Sequence, residues 1–194
     1  MKKPNFVVWD SAVVKDAVVL HMLKGVEKEY QLRKGVPRAA TFPSDASYTM
    51  HPDFPHNTIL VDNLVNTGLR IVASRRLKEF LEKQSVPKVE YLPVAIVNHK
   101  GKVATKDYFI VHPIEPIECL DLEKCEVTWG EVDETSIDEV KHLVVDETRV
   151  DPLRQLFRPK QFHQVILARR TLADAIDAAG FTGIKWIELD KFKS

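Results

Sequence analysis

Cysteine is scarce: the chain of 194 residues has two, Cys119 and Cys125. Two are too few for a disulfide framework, and reduced thiols are expected. Five residues separate them, not the two to four of a zinc knuckle. Glycine is also sparse, with seven residues standing singly at 25, 35, 68, 101, 130, 180 and 183. GxGxxG and Walker sequences are therefore absent, and with them the known loops that cradle phosphates. GxSxG, HExxH, CxxC and calcium-loop patterns are missing too. No apolar run approaches the ~20 residues of a membrane span. The opening "MKKPNFVVWDSAVVKD" has two lysines directly after Met1, but its apolar runs stop at Asp10 and Lys15, short of the roughly 7–15 residues of a secretory h-region. A cytoplasmic protein without a membrane partner is the expectation.

Net charge is missing as well: 28 Lys and Arg balance 28 Asp and Glu. The balance is uneven along the chain. Residues 1–114 carry 17 basic against 11 acidic side chains, residues 115–151 carry 3 against 13, and residues 152–194 carry 8 against 4. The acidic middle is the strongest compositional signal. Its ordinary explanation is the wet face of strands and turns. Its functional explanation is a docking surface for a basic partner, steered by long-range field. The candidates are Glu131, Asp133, Glu134, Asp138 and Glu139, with Trp129 as the nearest aromatic anchor. Acid–base catalysis would need two carboxyls in distinct environments, which a run of like charges around a turn does not supply. Nucleic-acid binding would need a clustered basic face with stacking aromatics, and the centre of the chain has the opposite sign.

Apolar residues make up 44% and charged residues 29%, an ordinary globular composition. A single domain over 1–194 is expected, with residues 1–58 as an N-terminal elaboration and 59–194 as its core. "NFVVW" at 5–9 reads as a short strand. Val19, Met22, Leu23, Val26 and Tyr30 recur at three- and four-residue steps, predicting a helix from Asp16 that Gly25 weakens. Residues 36–58 contain Pro37, Pro43, Pro52 and Pro55, which argues against regular structure. Phe42, Tyr48 and Phe54 interleave them and would pin that loop to the core.

Arg70–Ala73 then reads as a strand, and Ser74 as the N-cap of a helix whose buried face holds Leu77, Phe80 and Leu81. Val89–Val97 and Lys106–Val111 read as a hairpin around a turn at His99–Gly101. Shorter β-like runs follow at Ile117–Leu120, Glu126–Trp129 and His142–Val145. The segment "VILARRTLADAIDAAGFTGIKWIEL" repeats the strand–helix–strand order, with Leu172, Ile176 and Ala179 as its stripe and Gly180 as a helix stop. The units align without a gap: Ile71 with Ile166, Ala73 with Ala168, Leu77 with Leu172, Tyr91 with Trp186. The expected fold class is α+β, a mixed or largely antiparallel sheet with helices packed on it and two similar strand–helix–strand units.

"DYFIVHPIEPIECLD" at 107–121 brings His112, Cys119 and Asp121 within ten positions. A catalytic thiol needs a cation or helix N-terminus to lower its pKa. Cys119 instead stands between Glu118 and Leu120, so a buried, unreactive thiol is expected. His51 and His56 in "HPDFPH" are separated by prolines that forbid a helical ligand pair, and no metal is expected. Arg75–Arg76 and Arg169–Arg170, at the helix starts, would face either an anion or solvent.

Several of these stretches together resemble a known family. "RRLKEFLEKQSVPKVEYLPVAIVNHKGKVATKDYFIVHPIEPIECLD", "QLFR" at 155–158 and "AIDAAGFTGIKW" are similar to the bacterial immunity proteins numbered eleven in the polymorphic-toxin nomenclature. The resemblance spans roughly residues 60–190. It implies a protein that binds and neutralises a cognate toxin by direct contact, with no catalytic residues and no cofactor. Two alternatives come from the residues themselves. One is an enzyme with a dispersed site using Cys119 or His112. The other is a small-molecule-binding domain with the Phe42–Tyr48–Phe54 loop as a lid.

Overall fold

The run Phe6–Trp9 is apolar at every position, and such a strand must be covered on both faces. It forms strand β1 (Phe6–Ser11), with all four residues buried. The computed structural model describes residues 4–131 and 133–194; Met1, Lys2, Lys3 and Val132 lie outside that set. After β1 come β2 (Val19–Lys24), α1 (Tyr30–Arg33), β3 (Ser47–Met50), β4 (Val65–Asn66), β5 (Ile71–Ser74), α2 (Arg75–Lys83), β6 (Val89–Val97) and β7 (Val103–Pro113). The remainder is β8 (Glu126–Trp129), β9 (Ile137–His142), β10 (Leu156–Phe157), β11 (Ile166–Arg169), α3 (Arg170–Ala178) and β12 (Ile184–Glu188).

The strands form a mixed six-stranded sheet in the order β4-β2-β3-β6-β7-β5, an antiparallel four-stranded sheet β10-β11-β1-β12, and a two-stranded ribbon β8-β9. Alternation of side chains across the strands sorts the apolar residues into three cores. Val7, Trp9, Ile71, Ala73 and Val111 face α2 and α3 and share one core with Leu77, Leu81, Leu172, Ala173 and Ile176. Val72, Leu92, Val94, Tyr108 and Ile110 face the other way and meet Leu20, Leu32 and Tyr48. Phe6, Val8 and Leu167 face the ribbon and meet Cys119, Ile137, Val140 and Phe162. Each fully buried Leu or Phe contributes about 1.5–3 kcal/mol by leaving water.

The two strand–helix–strand units are built alike. β5 and β6 do not touch each other but flank β7, antiparallel to both. β11 and β12 likewise flank β1. Even the register agrees. Val111 lies opposite Ile71 and Tyr91, and Trp9 lies opposite Ile166 and Trp186. The middle strand follows its unit in one case and precedes it in the other. α2 starts as the sequence predicts: Ser74 Oγ accepts the Leu77 N–H at 3.2 Å. α3 has no such side-chain cap at Arg169.

Three expectations are corrected. Residues 19–24 form strand β2, not a helix. Gly25 has a left-handed φ of 82° that stops a helix there, and pairing with β3 and β4 decides the rest. The proline-rich segment is not devoid of regular structure: β3 lies between Pro43 and Pro52, and its Tyr48 is buried in the second core, with Leu20 and Leu32. The third concerns the short runs. His142–Val145 is not a strand, because β9 ends at His142 and Val145 makes only a bridge to Leu120; Ile117 makes a bridge to Pro159.

Asp62 and Asn63 tie the two units together. Asp62 accepts from Ser74 Oγ at 2.8 Å and Arg76 Nη1 at 3.0 Å on one unit, and from Thr182 N and Oγ1, both at 3.0 Å, on the other. Asn63 Nδ2 donates to Ser11 Oγ at 3.0 Å and Gly183 O at 2.8 Å. Gly183 has φ +80°, and a Cβ there would stand 2.2 Å from Asn63 O, so only glycine fits. Asp62→Ala should lower unfolding free energy by about 2 kcal/mol, because it leaves several part-buried donors without their acceptor. Arg75→Ala, which breaks an exposed ion pair with Asp107, should cost less than about 1 kcal/mol. Urea denaturation of the two variants side by side checks the contrast.

Candidate functional site

The trio His112, Cys119 and Asp121 does not assemble. His112 is buried on the face of β7 that meets the Tyr48 core, and its Nε2 lies 2.8 Å from Val36 O. Cys119 is buried in the third core. Asp121 is tied to Lys124 at 2.6 Å. Burial pushes the Cys119 thiol up to about 12, the opposite of what a nucleophile needs. Both cysteines are free thiols, and the Cys125 Sγ accepts Val144 N–H at 3.2 Å. Among the described residues no group of three or more His, Cys, Asp or Glu could hold a metal ion.

The arginine pairs are consumed by the fold. Arg76 Nη2 donates to the last carbonyl of α3's cap, Ala179 O, at 2.9 Å, and Arg170 pairs with Glu188 at 2.6 Å. Arg75 pairs with Asp107, and Arg169 donates to the Asp151 and Arg154 carbonyls. The Phe42–Tyr48–Phe54 loop is not a lid. Tyr48 is a core residue, Phe42 packs against the same core, and Phe54 is largely exposed. The clefts lie elsewhere. One of about 360 Å³ lies beside Trp9, Leu69 and Phe192, and one of about 660 Å³ beside Lys34, Asp133 and His163.

The acidic candidates do assemble, on the β8–β9 ribbon. Its hairpin is closed by Gly130 N–H donating to Ser136 O at 2.9 Å. Asp133 Oδ1 holds the turn by accepting from Thr135 N at 3.1 Å and Thr135 Oγ1 at 2.6 Å. Those two bonds hold the Asp133 carboxyl below the usual carboxylate range. A Cβ on Gly130 would stand 2.9 Å from Asp133 O, so this tight turn needs glycine. Register shifts interrupt the ladder, so Ile137 and Val140 both reach the third core while Asp138 and Glu139 both face solvent. Glu131, Asp133, Glu134, Asp138 and Glu139 are all exposed, and Trp129 is 41% exposed at the end of β8. Glu126, which the sequence reading passed over, joins them at the start of β8. Its signal was available: it sits two positions before Thr128 on the same polar face.

None of these six carboxylates has an ion-pair partner among the described residues. The acidic residues just outside the ribbon do: Glu118 with Lys160 at 2.5 Å, Asp121 with Lys124 at 2.6 Å and Asp146 with Arg149 at 2.9 Å. The ribbon therefore carries six carboxylates against Lys141 alone, a one-signed field at the surface.

Two measurements check the assignments away from the ribbon. Cys119 should react with a neutral-pH disulfide reagent only as fast as the protein unfolds; rapid labelling in the folded state would restore a catalytic reading. Burial also holds His112 below the ordinary imidazole range. The folded state then binds fewer protons than the unfolded state once pH falls below about 6.5. Stability is full above that value and declines as pH drops through it towards the folded value. His112→Asn should show a shallower loss than the parent chain between pH 7.5 and 5.5 in urea titrations, and equal slopes would refute the assignment.

No curated protein matches the chain. A family model does, described as Immunity protein family (Imm11), over residues 10–191. The match begins at the end of β1 and takes in both strand–helix–strand units, and it reaches well N-terminal of the resemblance read from the motifs. It covers nearly the whole chain, and the protein belongs to this immunity protein family.

Proposed function

We propose that the protein neutralises a cognate bacterial toxin by stoichiometric contact, with the β8–β9 ribbon as the contacting surface. The observation that carries this reading is the set of six exposed ribbon carboxylates, none of them in an ion pair among the described residues. Unpaired charge of one sign is costly to gather at a surface and is useful for drawing in a partner of opposite sign. Family membership supplies the class of partner, a toxin. The fit is best for a nuclease toxin, whose active face must be basic to hold phosphates. Trp129 gives the surface its aromatic anchor, half out of the solvent and next to the charged turn. A buried thiol at Cys119, raised to about 12, supports a blocker over an enzyme.

The test is to seek a large polypeptide with a toxic C-terminal domain encoded beside this chain's gene and to co-express the two. The parent chain should restore growth. The triple variant Glu131→Lys, Asp133→Lys and Glu134→Lys should associate about tenfold more slowly at low salt and protect poorly. Full protection by the triple variant would place the contact surface elsewhere.

A further inference from the structure

The ribbon has one closed edge and one open edge, and the closed edge identifies which backbone groups face outward on the other. On β9, Ile137 N–H donates to Gln161 O at 2.8 Å, away from β8. Val140 N–H donates to Ser194 Oγ at 2.8 Å, and Val140 O accepts Ser194 N–H at 3.2 Å, again away from β8. In an antiparallel ladder, a residue whose groups point outward lies opposite one whose groups also point outward. Ile137 pairs with Trp129 and Val140 with Val127. The N–H and C=O groups of Val127 and Trp129 therefore point away from the ladder, at the free edge of β8. Among the described residues nothing accepts from or donates to them on that side.

We propose that this edge receives an extended segment of the toxin as a third strand of the ribbon. This rests on the toxin-binding reading above and specifies its mode. An unpaired edge is a template for strand addition, in which main-chain bonds give affinity and alternate side chains give specificity. The side-chain pattern of β8 specifies the occupant. Glu126 and Thr128 are exposed, with Glu139 opposite Thr128, so they present negative charge on the outer face. Val127 packs partly against the third core, and Trp129 ends the strand as an exposed ring. The segment that fits alternates basic residues, facing Glu126 and Glu139, with apolar residues that lie beside Val127 and Trp129. The edge of the four-stranded sheet at β12 lacks this bias, because its charged residues are already paired: Lys185 with Asp10 and Glu188 with Arg170.

Proline at Val127 separates main-chain pairing from side-chain contact. The register opposite Val140 turns the Val127 N–H away from β9, so Val127→Pro removes the outward donor and blocks the edge with its ring. Val127→Ala loses a comparable amount of packing and keeps the donor. Binding is measured by surface plasmon resonance against the toxic domain of the neighbouring polypeptide. Val127→Pro should dissociate at least tenfold faster than Val127→Ala. Hydrogen exchange on the parent complex gives a second readout that needs no variant: the Val127 and Trp129 amides should gain protection on binding. Equal dissociation of the two variants, or unchanged exchange at both amides, overturns strand addition and leaves toxin binding standing. Failure of the parent chain to bind that domain overturns both.

Discussion

Everything in this molecule depends on the carboxylate of Asp62 being shared between two otherwise separate β systems. It accepts the cap serine of α2 on one side and the backbone and hydroxyl of Thr182 on the other. Asn63 repeats the linkage through Ser11 and Gly183. Beside that bridge, the apolar faces of α2 and α3 share one core that joins the six-stranded and four-stranded sheets. Four donors converge on this buried carboxylate, one on Oδ1 and three on Oδ2, and offset its loss of hydration. Removing the carboxylate leaves several donors without an acceptor.

This arrangement also explains why the two units can share a register while differing in chain order. What the core requires is a central antiparallel strand between two parallel ones, with a helix on one face. β7 supplies that strand from the C-terminal side and β1 from the N-terminal side. The packing demand is met by position in the sheet, not by position in the chain. The faces turned away from the helices are then free to differ: one is closed by Tyr48, Leu20 and Leu32, the other by the ribbon.

Where local chemistry decides, the fold was legible in the residues. Ser74 as a cap, Val89–Val97 as a strand and Gly180 with positive φ all depend on a few neighbouring atoms. Residues 19–24 were misread because Val19, Met22 and Leu23 fit a helical step as well as a strand. Pairing with β3 and β4, which lie far along the chain, settles the matter. Asp62 gave no signal because its partners lie 12 and 120 residues away. The acidic surface was legible as composition. Its open edge was not, since that depends on which N–H groups Gln161 and Ser194 use on the far side of β9.

The ribbon thus combines three things that seldom coincide on a protein surface: unpaired backbone groups, unpaired charge and an exposed aromatic ring. Long unprotected edges invite aggregation, and the six carboxylates also protect this short one by repelling copies of itself. A basic partner feels the reverse. On the function proposed above, neutralisation is binding and nothing else. The most direct measurement is residual toxin activity against the molar ratio of this chain to toxin, at concentrations well above their dissociation constant. A straight decline to zero at one equivalent is predicted. Complete inactivation by a small fraction of an equivalent would contradict it, since only a catalyst acts that way.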